Sequence, residues 1–193
     1  MQSIINDPRF GVEPFKVEAF DDGVEVTKDD LVNILNDRKF LEEESFHVIE
    51  TDTHEITTEH GEDFREDAVK LKRAFNNGNT ILIKRLHDVL PKFSDIGKMF
   101  DDDANTYMLV APSGGDSFDW HKDDRHVCIK IIYGNKVLLW KDEKNNEHPI
   151  SLNQGDWIVI PMGVIHKAVN FGPSIVLTVG MKDSQEWNVC PGI

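Results

Sequence analysis

His121 and Asp123 stand one residue apart in "DSFDWHKDDRHV", just before the apolar run "VCIKIIYG". In an extended segment, residues i and i+2 point to the same face. The imidazole and the carboxylate would then lie side by side, with Lys122 on the other face. A nitrogen donor beside an oxygen donor suits a divalent metal. The same pair also occurs as a solvated strand end, and the two residues alone do not decide between these readings.

The elements around the pair change character along the chain. In "TKDDLVNILNDRKF", Thr27 stands three residues before Asp30, a helix-start signal ahead of an apolar pattern. "EDFREDAVKLKRAFNNGN" repeats apolar residues at helical spacing (Phe64, Ala68, Leu71, Phe75), with Gly78 just past the end. "TILIKRL" reads as a short strand and "LPKFSDIGKMF" as a helix with Pro91 at its start, while residues 1–26 read as irregular or short extended segments. From Thr106 onward the pattern is β-type: "YMLVAP", "HVCIKIIYG", "KVLLWK", "HPISL", "DWIVIP", "VIHKAV" and "SIVLTVGM", separated by Gly-, Asn- and Pro-rich turns. Short strands at this spacing predict a closed or sandwiched antiparallel sheet rather than βαβ units.

Composition narrows the class. At 193 residues the chain suits one domain with a sizeable core. Its longest apolar runs are about half the length of a membrane helix, and "MQSIINDPRFG" lacks the blocks of a signal peptide. We expect a soluble, cytoplasmic protein with no membrane partner. Two cysteines, Cys128 and Cys190, form neither a disulfide framework nor a zinc-finger spacing. The net charge of −14 is concentrated early: residues 1–104 carry 25 acidic and 13 basic side chains, residues 105–193 carry 10 and 8. Such a surface disfavours nucleic acid and favours a basic peptide or protein, or serves solubility alone.

The second half carries a longer motif. "GDWIVIPMGVIHKAVN" sets Gly155, Pro161, Gly163, His166 and Asn170 at the spacing of the second motif of the cupin superfamily. The first motif resembles the stretch through Gly115, His121, Asp123 and Gly134, with two departures. Asp123 replaces a histidine, and Val127 stands where the family has a glutamate. The resemblance implies a mostly β fold, a double-stranded β-helix of cupin or jelly-roll type, with an α/β N-terminal flank. Residues 1–104 would form that flank, packed on a 105–193 catalytic core within a single domain. It also implies that His121, Asp123 and His166 ligate a metal. Two histidines and one carboxylate, with open coordination positions, characterise non-haem Fe(II) oxygenases.

Residues 79–180 further resemble the JmjC-type Fe(II)- and 2-oxoglutarate-dependent oxygenases, especially the ribosomal-oxygenase branch. The shared marks are Asn105 and Tyr107 ahead of the His-x-Asp pair, then Gly134, Lys136 and Trp140. The resemblance implies that Lys136 binds the distal carboxylate of 2-oxoglutarate, with Tyr107 and Thr178 as hydroxyl partners of the co-substrate. A carboxylate inside an apolar barrel needs such a cation. Lys136 also fits an exposed residue after the Gly134-Asn135 turn, and Lys130 is an alternative anchor that is out of phase with the inward positions. Asn170 suits a turn before Phe171-Gly172-Pro173, and His126 suits the surface. The implied activity is a dioxygenase hydroxylating a protein, peptide or small molecule. The acidic half favours a basic peptide with an Asp, Asn, Arg or His target. A metal-dependent cupin that does not use 2-oxoglutarate and a non-catalytic ligand-binding cupin remain open.

Overall fold

A computed structural model of the chain describes residues 4, 6–17, 23, 25–36, 46–58, 64–100, 104–114 and 117–181. Gly115 and Cys190 lie outside the described residues. Helix α1 (Lys28–Asn36) starts on a reciprocal cap: Asp30 N–H donates to Thr27 Oγ1 (3.2 Å) and Thr27 N–H donates to Asp30 Oδ2 (2.7 Å). Burial raises the Asp30 pKa, but hydrogen bonds from Lys92 and Thr27 outweigh it and hold the carboxyl below its ordinary value. Lys92 pairs with Asp30 and donates to the Glu25 carbonyl (3.0 Å), tying this cap to a later helix (Pro91–Phe100). Between them lie α2 (Phe64–Asn76) and the single turn α3 (Leu86–Val89); Pro91–Phe100 is α4. Proline suits the first turn of α4, where its missing N–H leaves no helical bond unmade.

The seven strands expected after Thr106 are all present: β5 (Asn105–Ala111), β6 (His126–Tyr133), β7 (Asn135–Lys141), β8 (Glu147–Asn153), β9 (Trp157–Ile160), β10 (His166–Asn170) and β11 (Ser174–Met181). β1 (Phe15–Val17) and β4 (Thr80–Ile83) precede them, as do β2 (Phe46–Ile49) and β3 (Ile56–Thr58), which the sequence reading did not anticipate. The strands make two antiparallel sheets, ordered β1-β9-β6-β11-β5-β4-β2-β3 and β10-β7-β8. A single bridge, His121 to His166, continues the smaller sheet beyond β10. The first half therefore extends the larger sheet at both edges, through β1 on β9 and β4 on β5.

The pleat divides the core in two. Along β9, Trp157 and Val159 face the helices, where they pack with Cys128, Leu177, Phe93 and Phe100, while Ile158 and Ile160 face the second sheet with Val127, Ile131, Leu138 and Val176. That alternation follows from period 2, and it explains why all four β9 residues are buried. Phe93 and Phe100, fully buried from α4, each contribute about 1.5–3 kcal/mol of apolar burial. The β6–β7 turn requires glycine. Gly134 has φ +79°, and a Cβ there would come within 2.3 Å of the Pro173 carbonyl oxygen. Among the described residues no helix is long and apolar enough to cross a membrane.

Candidate functional site

The space between the two sheets is a cavity of about 590 Å³, lined by side chains from β5, β6, β7, β10 and β11. His121, Asp123 and His166 meet in its wall, with one potential ligand atom from each lying within 4.8 Å of the others. The backbone explains the meeting. His121 and His166 are a hydrogen-bonded antiparallel pair, His121 N–H to His166 O at 3.1 Å and His166 N–H to His121 O at 2.8 Å. Opposite residues in such a pair project to one face, and Asp123 follows on the same face two positions on. The imidazole centroids are 4.4 Å apart, and His166 Nε2 lies 3.6 Å from Asp123 Oδ2.

Both rings are held in one tautomer. His121 Nδ1 is 2.8 Å from the Asp119 carbonyl oxygen, and His166 Nδ1 is 3.0 Å from that of Val164. A carbonyl only accepts, so each Nδ1 carries the proton and each Nε2 keeps a lone pair for a metal. Burial lowers the His166 pKa most; the Val164 hydrogen bond opposes it, His121 reinforces it and Asp123 opposes it, for a net lowering. A neutral imidazole is the form that binds metal. Phe118 tilts over His121 at 5.2 Å between centroids and screens it from one side.

Val127 is buried and lines the same cavity, so the position of the family's glutamate is apolar here. Among the described residues the cluster offers three donors, which fits a site with open coordination positions better than a four-ligand structural site.

Lys136 also lines the cavity and is only 4 % exposed, which rules out an exposed lysine after the turn. It opposes Asn170 of β10 and Leu152 of β8 in register. Lys130 lies on the opposite face of β6, with Nζ 5.6 Å from the centre of the Trp157 ring, while Val127, Ile129 and Ile131 face the cavity. Tyr107 and Thr178 are opposed in register on β5 and β11 and line the cavity. Burial pushes the Tyr107 phenol well above its ordinary pKa, and the charge of Asp123 adds to the effect. The two hydroxyls feel one another, but their geometry makes no hydrogen bond, and Thr178 Oγ1 is buried with no partner among the described residues. An orphaned hydroxyl in a cavity wall is costly unless a ligand satisfies it.

Three residues lie away from this chemistry. Asn170 is buried at the end of β10 and accepts a hydrogen bond from Ser174 Oγ (3.0 Å), bracing the turn between them. His126 is half-buried rather than a surface residue: its Nδ1 accepts from Met162 N–H (3.2 Å) and its ring stacks on Phe10. Cys128 is buried on the helix side, where desolvation raises its pKa and leaves an unreactive thiol. The sequence reading missed Arg125, which lines the cavity. No spacing signals it, because Asp124 and Arg125 form a bend ahead of β6 and strand phase does not carry through them.

No protein-family model matches the chain, and no curated protein matches it. Solved structures do. The chain is similar to Escherichia coli YcfD with a TM-score of 0.63 and 13% identity, covering 90% of this chain and 50% of that one. YcfD, a ribosomal oxygenase, solved in complex with cobalt and 2-oxoglutarate, matches with a TM-score of 0.62 and 14% identity, covering 89% and 48%. The barrel is a double-stranded β-helix of two antiparallel sheets. At this identity the likeness is one of fold, and the chain spans about half the length of the oxygenase it matches.

Proposed function

We propose that the chain is an Fe(II)- and 2-oxoglutarate-dependent oxygenase that hydroxylates a protein, peptide or small molecule. The observation that carries the reading is one cavity holding a two-histidine, one-carboxylate cluster together with a buried lysine. The metal-bound and 2-oxoglutarate-bound forms of YcfD, on the same fold, support it. When bound, iron with 2-oxoglutarate and dioxygen would supply oxidation of an unactivated C–H bond: one oxygen atom of O2 ends in the new hydroxyl group and the other in succinate, as the 2-oxo acid loses CO2.

The residues present fit these groups. His121 and His166 would offer Nε2 and Asp123 a carboxylate oxygen, with the Nδ1 protons kept on the Asp119 and Val164 carbonyls. Lys136 would neutralise the far carboxylate of the co-substrate, which no apolar wall could hold alone. Thr178, and Tyr107 opposite it, would give hydroxyl groups to the same molecule and relieve the unsatisfied Oγ1. Ile129, Ile131, Leu138 and Val176 line the cavity beside them and limit water there.

The test is a titration of the protein with Co(II), followed by its visible absorption. One equivalent should bind, His166→Ala and Asp123→Ala should each abolish tight binding, and added 2-oxoglutarate should change the spectrum. A wild-type protein that takes up no metal contradicts the proposal.

A further inference from the structure

Charge in the cavity runs against the charge of the chain. The net charge is −14, yet Lys84, Arg85, Arg125 and Lys136 line the cavity against one carboxylate, Asp123, which belongs to the candidate metal site. If 2-oxoglutarate takes Lys136, as the proposed function has it, three cations remain unassigned. Arg85 is exposed and paired with Asp88 at 2.7 Å, and Lys84 is exposed. Arg125 is half-buried, with 32% of its side chain exposed.

Arg125 is built into place. Its side chain runs across β11 at Gly180, where a Cβ would come within 2.8 Å of Arg125 Cδ, so a larger residue there would push the side chain aside. From there it lies within electrostatic reach of Tyr107 and Asp123 and lines the same cavity as the triad. Its hydrogen-bonding partner is Asp124, which takes Nε at 2.9 Å and Nη2 at 3.5 Å. The Asp124 side chain is 83% exposed, and a pair of that kind holds weakly in water. Nη1 has no hydrogen bond among the described residues. A guanidinium carries its donors in a planar fork matched to a carboxylate, so Arg125 can receive a second anion without giving up Nε.

We propose that Arg125, seated over Gly180 beside the triad, binds the carboxylate of the primary substrate, and that this substrate is a small organic acid whose apolar body takes the part of the cavity that 2-oxoglutarate leaves. Leu82, Leu109, Val127 and Leu152 offer that body an apolar wall, and the volume is of the size that takes a small molecule. The acidity of the N-terminal half then belongs to the outer surface and does not set the substrate's charge. The proposal rests on the oxygenase reading for the reaction, but not for the binding.

The experiment titrates octanoate, octanamide and octylammonium into the protein as purified and measures binding by calorimetry. The three probes share one apolar chain and differ in charge. Wild type should prefer octanoate over octanamide about tenfold or more. Lys136→Met is introduced in every background, so that the cation assigned to 2-oxoglutarate cannot take the probe. The preference should then fall to about unity in Arg125→Gln, remain largely in Arg125→Lys, and drop in Gly180→Ala, which displaces the side chain but keeps its charge. No preference in wild type, tighter binding of octylammonium, or a preference retained in Arg125→Gln on the Lys136→Met background overturns the proposal. The titrations need neither iron nor turnover. An absence of 2-oxoglutarate chemistry would therefore count against the proposed function and leave this result standing.

Discussion

Replacing Lys136 by methionine removes a single charge from the wall of the cavity while keeping most of the aliphatic stem that β7 packs there. Lys136 is 4 % exposed, so water does little to screen what it binds. A hydrogen bond to a charged group contributes about 1.5–3 kcal/mol, which at 25 °C corresponds to roughly ten- to a hundredfold in affinity. The apparent constant for 2-oxoglutarate should rise by that factor in Lys136→Met. Co(II) should bind as in wild type, because Lys136 is not among the three metal donors. Lys136→Arg should recover part of the loss, since the larger planar group keeps the charge but displaces its position. The assay follows succinate formation as 2-oxoglutarate is varied, with calorimetric binding alongside. Lys130→Met is the control, because that side chain lies over Trp157 on the far face of β6. An unchanged constant in Lys136→Met, or a weakened one in Lys130→Met, refutes the assignment of the anchor.

Thr178→Val removes a buried hydroxyl with no hydrogen-bond partner among the described residues, so the ligand-free protein should gain about 1–2 kcal/mol, read as a higher Tm, while 2-oxoglutarate binding weakens several-fold. Val127→Glu places a carboxylate where the wall is apolar; Co(II) affinity should rise and succinate formation should fall as the open coordination positions decrease. Asp30→Asn should cost about 1 kcal/mol at neutral pH, because it weakens both the α1 cap and the Lys92 pair. The folded Asp30 pKa is depressed, so its stabilisation is present above the unfolded carboxylate pKa and is lost as pH falls through the folded value. Thermal melts of wild type and Asp30→Asn should therefore converge in acid.

The parts of this fold that were legible in the sequence are those where one physical rule dominates. The strands from β5 to β11 are short apolar runs set between glycine- and asparagine-rich turns, and the cap residues Thr27 and Asp30 announce α1. β2 and β3 were not legible. β2 is four residues buried on both faces, so it shows no alternation, and β3 is a three-residue strand at the sheet edge. The helix α3 is a single turn whose preceding residue, Arg85, adopts a left-handed conformation (φ 61°), which no periodicity signals. In the site, His121 and Asp123 were legible from spacing. His166 needed its motif, because its partner lies 45 positions away and only the antiparallel bridge joins them. Arg125 escaped notice because its meaning depends on Gly180, 55 positions further on, leaving room for it.

The central claim is that His121, Asp123 and His166 hold a catalytic metal beside a 2-oxoglutarate site. It is tested most directly by incubating the protein with 2-oxoglutarate, Fe(II) and ascorbate and quantifying succinate. Succinate formation should require iron, 2-oxoglutarate and dioxygen and should be lost in His166→Ala at undiminished folding. Succinate formation equal in wild type and His166→Ala, or none from wild type carrying a full equivalent of iron, contradicts it.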